Sequence, residues 1–307
     1  FRRVLFRSQQ KIDRIENGKT GLTADMARKL SRALGVETSA FSGHGVRVAV
    51  LDTGMAFESK VIRFRGQSFL DDRGVSHPAL GDVDVPFAAA TDLASPGRFV
   101  APHDFIWNDA DPVDLDAHGT HVAGIVAGER NGQGTMGVAY GASLLAIKAT
   151  NRTNGLFNAN DVADAIDYAR LNGAKVINMS LSFGQGVTVP NQVTAAMVRA
   201  INAGVVIVAA AGNSALSDPD FPASFAIDST AQGALIAVGA TDDSNEIASF
   251  SNQAGDIKNF LVTAPGVNIT SDLYSGNTSV TSNTVVHSGT SMAAPHVAGA
   301  AAILTQL

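Results

Sequence analysis

At 307 residues the chain is long enough for one large domain or two ordinary ones. Its 45% hydrophobic and 16% charged residues exclude a disordered chain, and no apolar run approaches the ~18 residues that a bilayer span needs. With no cysteine, a disulfide framework and a thiolate metal site are both excluded. The net charge of −6 hides an asymmetry, because residues 1–40 carry +5 and the remainder −11, as if two pieces of different origin were joined.

Taken in order, Phe1–Ser8 fits nothing downstream and reads as a non-native segment. Arg2, Arg3 and Arg7 are not followed by the apolar run of a signal peptide. Residues 9–36 read as a separate fragment. Ile12 and Ile15 share one helix face, Asn17-Gly18 is a turn or cap signal, and Thr23 caps a second helix striped by Met26, Leu30 and Leu34.

From Ser42 the pattern changes. Val46–Leu51 is a buried-strand run ending at Asp52-Thr-Gly54, and residues 55–103 form a long irregular insertion expected at the surface. His118 opens a helix, and Ser143–Ala149 is a strand. Asp161–Leu171 and Gln192–Asn202 are helices closed by Gly173 and Gly204. Val176–Ser180, Val205–Ala210, Ala234–Val238 and Phe260–Val262 supply further strands. Gly289-Thr290-Ser291 reads as a tight turn into a helix running from Met292 to Leu304. Strands alternating with helices predict an α/β fold, a doubly wound and mostly parallel sheet with helices on both faces. In such sheets ligands bind beyond the carboxyl ends of the strands, where Asp52, Ser180 and Asn213 all fall.

A serine nucleophile needs a base within hydrogen-bond reach, and the base needs an acid to fix its tautomer and balance its charge. Ser291 at a helix opening, His118 at another and Asp52 after a buried strand supply those three groups. Each alone has a plainer reading: Ser291 as an N-cap, Asp52 as a turn former, His118 as a cap or surface group.

Together with their neighbours the three are far more specific. Val-Ala-Val-Leu-Asp52-Thr-Gly, His118-Gly-Thr-His-Val-Ala-Gly and Gly-Thr-Ser291-Met-Ala-Ala-Pro-His resemble the three signature blocks of the subtilisin-like serine peptidases, in that family's order. The resemblance covers residues 42–307 and implies a peptidase domain over 41–307. It implies that Ser291 attacks the scissile carbonyl, His118 moves the proton and Asp52 orients His118. Ala209-Ala-Ala-Gly-Asn213 matches the oxyanion block, which makes Asn213 the side-chain donor beside the Ser291 N–H. His121, His287 and His296 are expected to pack rather than catalyse.

By the same resemblance, substrate peptides bind as an extended strand near Ser180, Leu181 and Ser182, with Gly212 beside them. Aligning Phe221-Pro222 with the family's aromatic–proline pair places Asp220 at the floor of the main specificity pocket. That position suggests a taste for Lys or Arg before the cleaved bond; the plainer reading is a loop carboxylate facing water. The family's calcium loop corresponds to Glu129–Gly137, where Asn131 is the one side-chain ligand and Arg130 stands beside it. The chemistry requires no cofactor, and a structural calcium is an open expectation.

Gly137–Lys148 and Ala248–Asn259 resemble the autotransporter-passenger branch, whose members are carried on a C-terminal barrel. The chain stops at Leu307, where the family normally continues, so a C-terminally incomplete domain is expected. Residues 9–36 resemble the second half of a repressor-type helix-turn-helix. Nucleic-acid binding is not expected from that half alone, and a filter-binding assay with salt titration separates the two readings. The remaining expectations are protein or peptide substrates, no membrane segment in this chain, a monomer, and a secreted or cell-envelope location. The competing readings are a poorly active protease fragment and a noncatalytic peptide-binding relative.

Overall fold

A computed structural model describes residues 41–65, 69–70, 76–77, 82–95, 97–150, 157–184, 190–273 and 284–306. The basic head, with its helix-turn-helix likeness, lies outside the described residues.

The chain enters β1 (Arg47–Asp52) and then forms two small antiparallel pairs. In these, β2 (Lys60–Arg65) pairs with β5 (Asp82–Phe87), and β3 (Phe69–Leu70) with β4 (Ser76–His77). These pairs occupy the stretch expected to be irregular, so that expectation is corrected. The period-2 signal was present in Lys-Val-Ile-Arg-Phe-Arg and Asp-Val-Asp-Val-Pro-Phe.

Next come β6 (His103–Asp104), α1 (His118–Ala127), β7 (Ser143–Lys148), α2 (Ala159–Leu171), β8 (Val176–Met179) and α3 (Asn191–Asn202). They are followed by β9 (Val206–Ala210), β10 (Leu235–Thr241), β11 (Leu261–Pro265), β12 (Ile269–Asp272), β13 (Thr284–His287) and α4 (Thr290–Gln306).

Seven strands form one parallel sheet in the order β11-β10-β9-β8-β1-β7-β6. The order reverses at β1: α1 leads to β7 on one side, while α2 carries the chain back across β1 to β8. Right-handed crossovers running in opposite directions put their helices on opposite faces. The alternation along β1 agrees. Val48 and Val50 face α1 and α4, while Ala49 and Leu51 face α2 and α3.

Both faces are closed. One cluster joins Val50, Leu144, Val208 and Val238 to Val122 and Ile125 of α1 and to Met292, Ala298 and Ile303 of α4. The other joins Leu51, Ile147, Ile177 and Ile207 to Ile166 of α2 and Met197 of α3. Each such aliphatic side chain contributes roughly 1.5–3 kcal/mol when fully buried. Asp167 on α2 adds a clamp by accepting from Arg170 at 3.0 Å and from Arg199 of α3. A sheet covered this way leaves its strand ends as the place for chemistry. Asp52, Ser180 and Asn213 emerge there from the adjacent strands β1, β8 and β9.

Candidate active site

Asp52 ends β1 and is 3% exposed. Its Oδ1 lies 2.6 Å from His118 Nδ1 and also accepts the Thr53 N–H at 2.8 Å. An acceptor at Nδ1 fixes the proton there, leaving Nε2 of His118 as the basic atom. The approach is steric as well as polar. A Cβ on Gly119 would meet the Gly54 carbonyl oxygen at 2.1 Å and the Asp52 Cβ at 3.1 Å, so only glycine lets the start of α1 reach β1.

The entry of α1 is organised by Asp114, a fully buried residue. Its Oδ2 accepts from the Thr120 N–H (2.8 Å) and hydroxyl (2.6 Å), satisfying a free donor of the first helical turn. Its Oδ1 accepts from the Asp116 and Ala117 N–H groups and from the Thr53 hydroxyl at 2.8 Å. Thr53 Oγ1 in turn accepts the Gly119 N–H at 2.9 Å. One carboxylate thus ties the end of β1 to the start of α1, which are the carriers of Asp52 and His118. Lys148, also fully buried, supports the same loop: its Nζ donates to the Val113 carbonyl at 2.7 Å and stands 4.3 Å above the Trp107 ring. Burial pushes its ammonium below the usual lysine range, against the attraction of Asp104 and Asp114.

Ser291 is the second residue of α4, where backbone N–H groups lack intrahelical partners. Pro295, four residues later, has no N–H to offer the Ser291 carbonyl. The Ser180 hydroxyl donates to that carbonyl instead, at 2.8 Å, joining the end of β8 to the backbone of Ser291. Ser180 Oγ itself accepts from the Asn178 amide at 2.9 Å. The Ser291 hydroxyl donates to the Ser180 carbonyl at 3.3 Å. Among the described residues no hydrogen bond joins Ser291 to His118, whose Nδ1 side is taken by Asp52. Bonds of this kind often tighten only once substrate is bound.

Asn213 follows β9. Its Oδ1 accepts both the N–H (2.8 Å) and the hydroxyl (2.9 Å) of Thr290. The acceptor end is therefore occupied and the Nδ2 donor remains available, on the side of the turn at Gly289. Thr290 Oγ1 also accepts the Gly212 N–H at 3.1 Å, so the two loops are locked together. The arrangement comprises an acid–base pair, a hydroxyl at a helix N-terminus and an amide donor held beside it.

Residues 43–307 match the subtilase family. The chain belongs to the subtilase family. It is 44% identical over 211 residues to a thermophilic serine proteinase of Bacillus sp. (strain AK1), covering 68% of this chain and 47% of that protein. It is 36% identical over 262 residues to a thermostable alkaline protease of Halalkalibacterium halodurans, covering 85% and 57%. It is 35% identical over 280 residues to subtilisin DY of Bacillus licheniformis, covering 90% and 82%. The chain thus spans about half the length of the first two relatives. A cold-adapted subtilisin-like serine proteinase of solved structure superposes with a TM-score of 0.62 at 31% identity, covering 87% of this chain and 77% of that one.

Within this subtilase, Leu181 is buried and Ser182 half-buried, directly after Ser180. The Phe183 N–H donates to the Phe221 carbonyl at 2.9 Å, which sets the Ser180–Gly184 segment beside the loop carrying Asp220. Asp220 is not a loop carboxylate facing water: it is 5% exposed, and its Oδ2 accepts the Ser182 hydroxyl at 2.7 Å.

The stretch aligned with the family's calcium loop holds itself together. Asn131 donates to Asp92 Oδ1 at 3.0 Å, and its own oxygen accepts the Gln133 N–H at 2.9 Å. Asp92 Oδ2 takes the Thr135 N–H at 2.6 Å. These oxygens are each engaged by a donor of the loop itself. Among the described residues no three His, Cys, Asp or Glu are grouped to hold a metal.

His121, His287 and His296 pack against their neighbours. His121 is fully buried and bonds the Ile269 carbonyl through Nε2 at 3.0 Å; burial and then the neighbouring His287 push it down to about 3. Its ring meets that of His287 edge-on at 4.8 Å. His296 donates from Nδ1 to the Met292 carbonyl at 2.8 Å, and burial lowers it to about 4. Asp114, Thr290 and Lys148 are the residues that sequence reasoning missed. An Asp four residues before His118 and a Thr two after it gave a capping signal for the first of these.

Proposed function

We propose that this chain carries the catalytic unit of a serine endopeptidase that hydrolyses peptide bonds in proteins through an acyl-enzyme. The 2.6 Å bond between Asp52 and His118 Nδ1 carries the reading, because it leaves Nε2 basic at the strand ends where Ser291 and Asn213 are held. Ser291 Oγ turns from the Ser180 carbonyl and bonds to the scissile carbonyl carbon as its proton passes to His118 Nε2. The carbonyl π pair moves to oxygen, where Asn213 Nδ2–H and the Ser291 N–H receive it. Collapse breaks the C–N bond, and His118 gives its proton to the leaving amine. Water then repeats the sequence and frees Ser291. Every proton has a carrier among these residues, so no cofactor is required.

Peptides lie extended along Ser180, Leu181 and Ser182 and past Gly212; the family and the exposed end of that segment support this edge. The Gly137–Lys148 and Ala248–Asn259 blocks support the autotransporter-passenger branch, and with it export to the cell envelope or medium. Among the described residues no helix is long and apolar enough to cross a membrane. A monomer suffices, since one chain supplies every catalytic group.

Hydrolysis of a casein substrate by the purified chain tests the reading. Ser291→Ala should abolish turnover, by roughly the 10⁶-fold that loss of this nucleophile costs in subtilisin. A mutant as fast as the parent would exclude the mechanism.

A further inference from the structure

The loop after β9 doubles back so that the Asp220 N–H donates to the Ala211 carbonyl at 2.9 Å. This places the Asp220 carboxylate against Gly212, the residue before Asn213. A Cβ on Gly212 would meet Asp220 Oδ2 at 2.3 Å. Oδ2 is bound by Ser182, on the segment proposed to pair with substrate. The other oxygen, Oδ1, is buried without a hydrogen-bond partner, and among the described residues no cation pairs with the group. A carboxylate taken out of water with one oxygen unmet is destabilised, and a cation supplied from outside would offset that. Apolar walls stand nearby: Phe221 is 5% exposed, and its ring lies 5.6 Å from that of Phe183.

Position decides what that cation belongs to. A scissile carbonyl between Asn213 Nδ2 and Ser291 would lie beside the two loops that Ser180 and Gly212 tie to the start of α4, within reach of a side chain entering between them. Those loops are Ser180–Gly184 and Gly212–Phe221, and the acid between them is Asp220. We propose that Asp220 selects lysine or arginine as the residue whose carbonyl is attacked. A long aliphatic stem would lie along Phe183 and Phe221 while its charged end meets Oδ1 and competes with Ser182 for Oδ2. This rests on the endopeptidase reading above.

The test uses matched peptide amides differing at that one residue, with arginine, lysine, citrulline, norleucine or phenylalanine. Rates are normalised to sites titrated by a fluorophosphonate. Citrulline keeps the shape of arginine and removes its charge. Selection by Asp220 should give arginine a kcat/KM roughly tenfold to hundredfold above citrulline, the range for a charged hydrogen bond. Asp220→Asn should bring that ratio close to one, a change that general loosening of the loop would not produce.

Equal rates for arginine and citrulline in the parent chain would overturn the proposal even if Asp220→Asn failed to fold. So would an unchanged ratio in a folded, titratable Asp220→Asn. A chain that neither titrates nor cleaves any of the five peptides would overturn the endopeptidase reading and this one with it. A chain that titrates but prefers phenylalanine or norleucine would overturn this one alone.

Discussion

Because Thr290 occupies the side-chain oxygen of Asn213 with two donors, the amide cannot flip without losing both. Its nitrogen is thus oriented before substrate arrives, the condition under which an oxyanion donor is worth most. Asn213→Ala should lower kcat by about 10²–10³ with little change in KM, the range known for such a donor in subtilisin itself. Steady-state kinetics checks this, and a loss confined to KM would assign Asn213 to ground-state binding.

A second residue, Asp272, bears on stability. It is fully buried beside Asp92, with Gly124 of α1 pressed against it and no well-formed hydrogen bond to either oxygen. Burial first, then the charge and carboxyl of Asp92, push it up to about 8, outweighing the Asp92 N–H that favours its charged form; Glu129 adds a smaller push. Glu129 is itself paired with Arg98 at 3.2 Å. A carboxyl that binds its proton more tightly when folded stabilises fully below the unfolded value near 3.8, and that contribution is lost as pH rises to about 8. At roughly 1.4 kcal/mol per pH unit, several kcal/mol are involved. Asp272→Asn should therefore raise Tm relative to the parent at pH 9 and do so far less at pH 4. A variant that loses Tm at pH 9 would show that the charged carboxylate has a partner, such as a cation, at that site.

At the scale of elements, α1 depends on a residue outside it. Asp114 accepts five donors that join the end of β1 to the first turn of α1. Asp114→Ala should cost more than the ~1 kcal/mol of an ordinary cap, since buried donors would be left unmet. At roughly 2–4 °C per kcal/mol, Tm should fall by several degrees, and kcat should fall as His118 loses its fixed approach to Asp52. Retention of both by a folded Asp114→Ala chain would show that Gly119 and Thr53 suffice to seat the helix. The sequence revealed α1 but not its dependence on Asp114, because that role needs Thr53, Ala117 and Thr120 to converge in space. Helix α4 shows the opposite case. Gly289 gave its start directly, yet the use by Ser180, 111 positions away, of the Ser291 carbonyl that Pro295 leaves free was visible only once folded.

For the whole molecule, the doubly wound order was readable because apolar runs such as Val46–Leu51 and Val205–Ala210 alternate with helical stripes closed by glycine. The position of the site followed from the same pattern. What was not readable is the pair of buried charges Lys148 and Asp272, which lie in segments that look ordinary along the chain. Their surroundings come from loops brought together across the sheet ends, and no local periodicity encodes that. The pairing of β2 with β5 was missed for a different reason: a real alternation was outweighed by the scattered Gly, Pro and Asp around it.

The central claim is that Asp52 and His118 activate Ser291 within this fold. Reaction of the full chain with a fluorophosphonate, followed by intact mass and peptide mapping, tests it most directly. A single adduct on Ser291, lost in Ser291→Ala and greatly slowed in His118→Ala, is the predicted result. A chain that is folded by circular dichroism yet unlabelled, or labelled equally fast without His118, would contradict it.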